Sequence, residues 1–405
     1  MISVAEARAR ILAALSPLPT EIVGLPQGAG RILRETLHAR LTQPPQDASA
    51  MDGYAVRSAD TATPGSRLKI VGQVPAGQLF DRPLRPGECV RIFTGAFLPE
   101  GADAIAIQED CIADGDQVQV GATVRAGTFV RPAGLDFRAG DPLLHPGHRL
   151  NARDIGIAAA MNRPWLPVTR RPRVGILATG DEIVLPGEPV GPAQIVSSNA
   201  FLLAAMIRSA GGEPIDLGIA PDERPALDSL VGGLKGLDLL VTTGGASVGD
   251  HDLVRDCLEE HGARLDFWKI AMRPGKPLFF GRLADVPVLG LPGNPVSTCV
   301  CAQVFLIPAL ARLLGWEKTL PAERRGRLAV DLQANDRRED YLRSELEAGP
   351  DEELPLVRPF RRQDSSMLAL LARSSALVVR APHAPPAAAG DLVTFLPFMD
   401  GLADL

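Results

Sequence analysis

The sequence predicts a multidomain α/β protein: a parallel-sheet domain, preceded by an inserted β-rich domain and followed by an all-β C-terminal domain. Three observations carry this reading. Between residue 173 and about 314, four short apolar runs at 174–178, 215–219, 237–241 and 286–289 alternate with helical segments, the pattern of a parallel sheet with helices on both faces. From 42 to about 137 the pattern is short alternating runs instead, at 68–71, 89–93 and 104–107, punctuated by Pro-Gly and Asp-Gly turns. After a linker at 321–325, residues 326–405 return to β patterning at 356–357, 376–379 and 392–395.

The elements follow in chain order. Ser3-x-x-Glu6 is a capping box ahead of the apolar positions Ile11, Leu12 and Leu15, which gives a first helix ending before Pro17. Asn151-x-x-Asp154 opens another helix over 155–161. The β-rich segment is thus expected between two pieces of one discontinuous helical domain: 1–41 with 138–172, then 42–137 inserted, 173–320 as the parallel-sheet domain and 321–405 at the end.

Composition bounds the function. The 405 residues carry 46% hydrophobic content, enough for packed cores in about three domains by the ~150-residue prior. A net charge of -6 argues against bulk attraction to nucleic acid or anionic lipid, so any anion site must be focal. The N-terminus, Met1-Ile2-Ser3-Val4-Ala5-Glu6, lacks a basic leader pattern, and no run of about 18 apolar residues stands out. The expectation is a soluble cytoplasmic protein that binds neither nucleic acid nor membrane. Cys89, Cys111, Cys257, Cys299 and Cys301 form an odd set without a Cys-x-x-Cys pair, so they are read as reduced fillers rather than disulfides or a zinc site.

Ligands of parallel sheets collect at the carboxyl ends of the strands. The loops there are Thr179-Gly180-Asp181-Glu182, Ala220-Pro221-Asp222-Glu223, a glycine-rich stretch over 242–252 and Leu291-Pro292-Gly293-Asn294-Pro295. Glycines Gly244, Gly245 and Gly249, with Ser247 between them, let backbone N–H groups close on an anion, and Gly293 does the same in the last loop. Asn294 is set as N-cap with Pro295 at the first helical position. Hard oxygen ligands beside phosphate suit Mg²⁺, and Glu182, Asp252 and Asp222 are the candidates; the competing reading is that each simply caps the next helix. Lys269, Arg273 and Lys276 surround Pro274-Gly275 and could neutralise a diphosphate, Arg by its fork and Lys as a point charge. No His set has metal-ligand spacing, and Ser247 has no evident His-Asp partner.

In this order, Ser-Ala-Met-Asp-Gly-Tyr-Ala at 49–55, Phe-Thr-Gly-Ala at 93–96, Thr-Gly-Asp-Glu at 179–182, Thr-Thr-Gly-Gly-Ala-Ser-Val-Gly-Asp-His-Asp at 242–252, Pro-Gly-Lys-Pro at 274–277 and Gly-Leu-Pro-Gly-Asn-Pro-Val-Ser at 290–297 resemble the molybdopterin molybdenumtransferases, the molybdenum insertases that include the E domain of gephyrin. The resemblance implies a four-domain homodimer whose third domain has the molybdopterin-binding α/β fold. It implies that adenylylated molybdopterin and molybdate are the substrates, and that Mg²⁺-dependent cleavage of the adenylyl bond yields molybdenum cofactor and AMP. The upstream adenylyltransferase and acceptor molybdoenzymes would be further partners. It implies nucleotide and metal roles for Glu182, Asp222 and Asp252, a basic cluster of Lys269, Arg273 and Lys276, and a loop shaped by Pro292 and Pro295. Asp52 and Thr94 resemble residues that reach the site from the dimer mate, Asp136 another functional acid, and Arg343 and Ser365 the fourth-domain contribution. Two features depart from the family pattern: Arg273 stands where lysine is common, and Gln363-Asp364-Ser365-Ser366-Met367 stands where Gln-Gly-Ser-Gly-Met is usual. The alternatives are adenylylation of molybdopterin with ATP, the preceding step, and a non-catalytic dimeric scaffold.

Overall fold

The computed structural model describes residues 1–220, 234–244, 259–349 and 354–398. Its central sheet runs in the order Glu213–Ala220, Arg173–Thr179, Leu239–Thr243, Val286–Leu291, Phe279–Leu283, Arg264–Trp268. The first four strands are parallel neighbours, and they are the four apolar runs of the sequence. Leu239–Thr243 is buried along its whole length, as expected of a strand covered on both faces. The last two strands are antiparallel additions that the sequence pattern did not announce. Their charged positions Arg264, Asp266 and Arg282 are exposed and mask the apolar alternation. Register brings Thr179, Ala220, Thr243 and Leu291 to one rim.

Beyond Leu291 the chain enters a helix of 20 residues, Pro295–Leu314, closed by Gly315 in the left-handed region at φ 70°. Its length and apolarity match a membrane span, contrary to the expectation that no such run exists, but 94% of it is buried inside the protein. It is the core helix. Val304, Phe305, Leu306 and Leu310 pack in one cluster with Val174, Ile176, Leu289 and Ile207.

The helix Val4–Ala13 begins as its cap predicts, the Glu6 amide donating to Ser3 Oγ at 3.1 Å. The Glu6 carboxylate does not return the bond; it meets Arg10 at 2.6 Å instead. Val4, Ala7, Ile11 and Leu15 bury into the central core. A separate core of Leu33, Leu37, Leu150, Ala158, Leu166 and Val168 unites the rest, helped by pairing of Thr20–Gly24 with Trp165–Thr169. Asn151 and Asp154 form the reciprocal cap of the helix Ala152–Ala160.

Between these pieces lies a six-stranded sheet in the order Ala104–Ile107, Gly53–Val56, Glu88–Ile92, Ser66–Val74, Gln117–Val120, Cys111–Asp114. The C-terminal strands Glu339–Glu347, Leu356–Pro359, Arg324–Leu328, Leu392–Pro397 and Ala376–Arg380 close into a barrel, because the last also pairs with the first. One short helix, Leu368–Arg373, interrupts the β structure. The two-residue strand Met272–Arg273, from within the central segment, adds to this barrel. Cys89, Cys111, Cys299 and Cys301 are free, and burial pushes the Cys299 thiol up to about 12, so these side chains behave as apolar filling. Cys257 lies outside the described residues.

Candidate functional site

A cleft of about 700 Å³ opens at the rim where the parallel strands end. Its floor is the Thr179-Gly180 and Thr243-Gly244 strand ends with the Pro292–Asn294 loop; one wall is Arg273 to Pro277 and the other is Gln363 to Ser365 of the barrel. The two glycine loops approach backbone to backbone. Gly244 has φ 94°, and a Cβ there would strike the Thr179 carbonyl, while a Cβ at Gly293 would lie 3.5 Å from Gly244 Cα. Side chains would therefore close the floor that backbone now forms.

Asn199, at the start of the helix Asn199–Ser209, locks these loops together. Its Nδ2 donates to Thr243 Oγ1 at 2.9 Å and to the Gly293 carbonyl at 2.6 Å. Its Oδ1 is buried without a hydrogen-bond partner among the described residues, as is Thr179 Oγ1, and both residues line the cleft. Unpaired buried oxygens beside a polar cleft leave hydrogen-bonding capacity for a ligand or its water. The sequence reading missed Asn199; its signal was a polar residue at a helix start after the short strand Ile195–Val196.

Asn294 occupies the N-cap position, but its side chain makes no capping bond. It turns across the cleft, and Nδ2 donates to Ser365 Oγ at 2.9 Å while the Val296 amide donates to the Ser365 carbonyl at 3.1 Å. Thr298 takes up the local bonding, with Oγ1 donating to the Pro292 carbonyl at 2.6 Å. Pro295 sits at the first helical turn behind the loop. Ser365 thus joins the barrel wall to the central sheet.

The segment around Ser365 folds without the glycines it lacks. Neither Asp364 nor Ser366 has positive φ. Asp364 Oδ1 accepts the Ser366 amide at 2.9 Å and its hydroxyl at 2.6 Å, an Asx turn that holds the Asp364 carboxyl below the usual range. Gln363 accepts from the Arg343 amide and donates to the Arg343 and Phe360 carbonyls. Arg343 itself is 1% exposed and donates to the carbonyls of Arg362, Asp364 and Met367. It stands behind the wall and does not line the cleft.

The cations separate into different roles. Lys276 lines the cleft and has no ion pair among the described residues. Arg273 also lines it, but its guanidinium is paired with Asp340 and Asp336. Lys269 does not line it: its ammonium lies 3.6 Å from the centre of the Trp268 ring, a cation–π contact. Its backbone is held at φ 67° while its amide donates to the Leu278 carbonyl at 3.0 Å, a strained geometry for a non-glycine residue. Arg338 joins the cleft lining and pairs with Asp336 at 2.9 Å; this pairing, with Arg273 adding, holds the Asp336 carboxyl at about 2.

Glu182 and Asp364 are the carboxylates lining the cleft among the described residues. No group of three His, Cys, Asp or Glu side chains there could hold a metal ion. Asp364 spends Oδ1 on the Ser366 amide and hydroxyl, and Glu182 facing a polar cleft fits a Mg²⁺ that arrives with phosphate oxygens and water rather than one held in an all-protein cage. Asp222, Asp252, Gly245, Ser247 and Gly249 lie outside the described residues.

Three family models cover most of the chain: the MoeA N-terminal region (domain I and II) at residues 2–162, the probable molybdopterin binding domain at 175–312, and the MoeA C-terminal region (domain IV) at 325–398. A molybdopterin molybdenumtransferase of Haemophilus influenzae is 32% identical over 404 residues, spanning 98% of this chain and 99% of its own. The chain belongs to the MoeA family of molybdopterin molybdenumtransferases. A relative of the same name from Nostoc sp. is 39% identical over 335 residues, covering 80% of this chain and 76% of its own. The solved structure of a molybdopterin biosynthesis MoeA protein from Pyrococcus horikosii superposes with a TM-score of 0.86 at 30% identity, over 98% of this chain and 99% of that one.

The other residues highlighted by the MoeA resemblance lie outside this cleft. Asp52 Oδ1 accepts the Thr94 amide at 2.7 Å and the Thr94 hydroxyl at 2.8 Å, which holds the Asp52 carboxyl low, with Arg91 adding a smaller Coulombic pull. Thr94 is exposed and Asp52 half-buried, so the pair forms a preorganised acidic knob on the N-terminal β sheet. Asp136 is exposed, its amide donating to the Gln43 carbonyl at 3.0 Å.

Proposed function

We propose that this enzyme inserts molybdenum by binding adenylylated molybdopterin in the rim cleft, cleaving its adenylyl bond with Mg²⁺ and releasing AMP with molybdenum cofactor. The observation that carries the reading is the meeting, in one cleft, of the Gly244 and Gly293 backbones, the Lys276 ammonium, which has no ion pair among the described residues, and the Glu182 carboxylate. Glycine loops expose N–H groups to phosphate oxygens, and Lys276 supplies a point charge where negative charge develops. Asn199 and Ser365 keep the floor and wall in register. Mg²⁺, held by Glu182 with Asp222 and Asp252, would offset charge on the diphosphate when bound.

Further parts of the reading rest on the resemblance. Lys269, with its strained backbone, and Arg273 belong to the basic cluster, and Asp52, Thr94 and Asp136 serve the site of a dimer mate. The chain works as a cytoplasmic homodimer, divided as 1–41 with 138–172, 42–137, 173–320 and 321–405. Mixing purified protein with adenylylated molybdopterin, molybdate and Mg²⁺ should release AMP and form molybdenum-bearing cofactor in equal amounts, and chelation should stop both. Consumption of ATP with no AMP release from the adenylylated pterin would instead identify the preceding adenylylation step.

A further inference from the structure

The tip of the basic loop is tied to the barrel rather than to the central sheet. Met272 and Arg273 pair in parallel with Glu339 and Asp340, and the Glu339 amide donates to the Ala271 carbonyl at 2.9 Å. The Arg273 guanidinium continues in the same direction: it donates to Asp340 Oδ2, to Asp336 Oδ2 at 3.4 Å and to Asn335 Oδ1 at 3.3 Å. Every one of these acceptors belongs to the barrel strand Glu339–Glu347 or to the turn before it. Three acceptors on one fork leave little of its charge for a ligand, whereas Lys276 has no ion pair among the described residues.

Asp340 is 3% exposed; its Oδ2 accepts from this fork, and its Oδ1 is buried without a hydrogen-bond partner among the described residues. Burial pushes its carboxyl up, Arg273 offsetting part of the shift, and nearby Asp336 and Arg338 act in opposite senses. On the opposite side of the loop, a Cβ at Gly275 would strike Cys301 Sγ in the core helix, so the segment is pinned from two sides. A lysine at 273 could serve one carboxylate but could not span all three acceptors.

We propose that Asp340 is a positioning residue: by gripping Arg273 it straps the basic loop to the barrel and sets Lys276 opposite the Gln363–Ser365 wall. Arg273 then acts through the barrel instead of as a ligand to substrate. This inference rests on the reading of the cleft as the substrate site.

The test compares Arg273→Lys, Asp340→Asn and the double variant by hydrogen exchange at the Val296 amide, which bonds to Ser365 across the cleft. Each single change should speed that exchange about tenfold, and the double variant no more than the larger single, because the two residues act as one unit. In turnover, KM should rise in both singles while kcat changes less. Wild-type exchange in both singles, or effects that multiply in the double, overturns the strap. Should Asp340→Asn fail to fold, Asp336→Asn removes a partner at the exposed end, and wild-type exchange there overturns it equally. The exchange readout does not depend on the reaction, so a wild-type protein that shows the strap but binds no AMP would end the functional reading and spare this one.

Discussion

Replacing Lys276 with alanine is expected to lower kcat/KM by about a hundredfold, with most of the loss in kcat, the scale seen when one charge-stabilising donor leaves a preorganised site. The magnitude follows from its place. Lys276 stands between Gly275, which packs on Cys301, and Pro277, and it reaches the cleft with no internal counter-ion among the described residues. Its charge is therefore available to a ligand in a way that Arg273's is not. Steady-state kinetics with AMP release as the signal reads the effect, and isothermal titration with AMP reads whether affinity falls too. Wild-type kcat/KM in Lys276→Ala would remove this side chain from the chemistry.

The largest stability effect is expected at Arg343. Arg343→Met keeps much of the volume but deserts the carbonyls of Arg362, Asp364 and Met367, all gathered by one fully buried fork. Leaving buried acceptors unpaired costs about 1–3 kcal/mol each where water cannot enter, and partial relaxation brings the expected total to about 3 kcal/mol. Guanidinium unfolding followed through the barrel should show the loss as an earlier midpoint. The same variant should free the Ser365 wall, so cofactor formation would fall even under conditions where the protein remains folded. An unchanged midpoint would mean that the three carbonyls find other donors, and that Arg343 is not the brace of the wall.

The parts of the fold that were legible share a physical cause. Strands covered on both faces read as near-continuous apolar runs, so Arg173–Thr179 and Leu239–Thr243 announced themselves, and with them the rim where ligands gather. The antiparallel strands Arg264–Trp268 and Phe279–Leu283 carry exposed charges and did not. The core helix Pro295–Leu314 announced its start through Asn294 and Pro295 but not its apolar length, because Ser297, Thr298, Gln303 and Arg312 interrupt the run although helical geometry buries nearly all of it.

At the cleft, what could be read was local chemistry, and what could not was pairing across the chain. A Pro-Gly-Lys-Pro loop and glycines after strands mark their own geometry, and Gly244, Gly293 and Lys276 line the cleft together with Glu182. Nothing near Arg273 in sequence reveals that its partners stand 62 to 67 positions away, or that Arg343 in an alternating strand points into a core of carbonyls. Lys269 looked equivalent to its neighbours, yet a left-handed backbone turns its ammonium onto Trp268. The Asp364 and Ser366 departures looked costly as lost glycines, but neither position needs positive φ, and the two side chains bond to each other.

Whether the rim cleft holds the nucleotide phosphate of the substrate is read most directly from a crystal of the protein soaked with AMP and Mg²⁺. The phosphate should lie against the Gly244 and Gly293 backbones, with Lys276 and Glu182 turned toward it. Nucleotide bound away from that rim, with Lys276 and Glu182 unengaged, would contradict it.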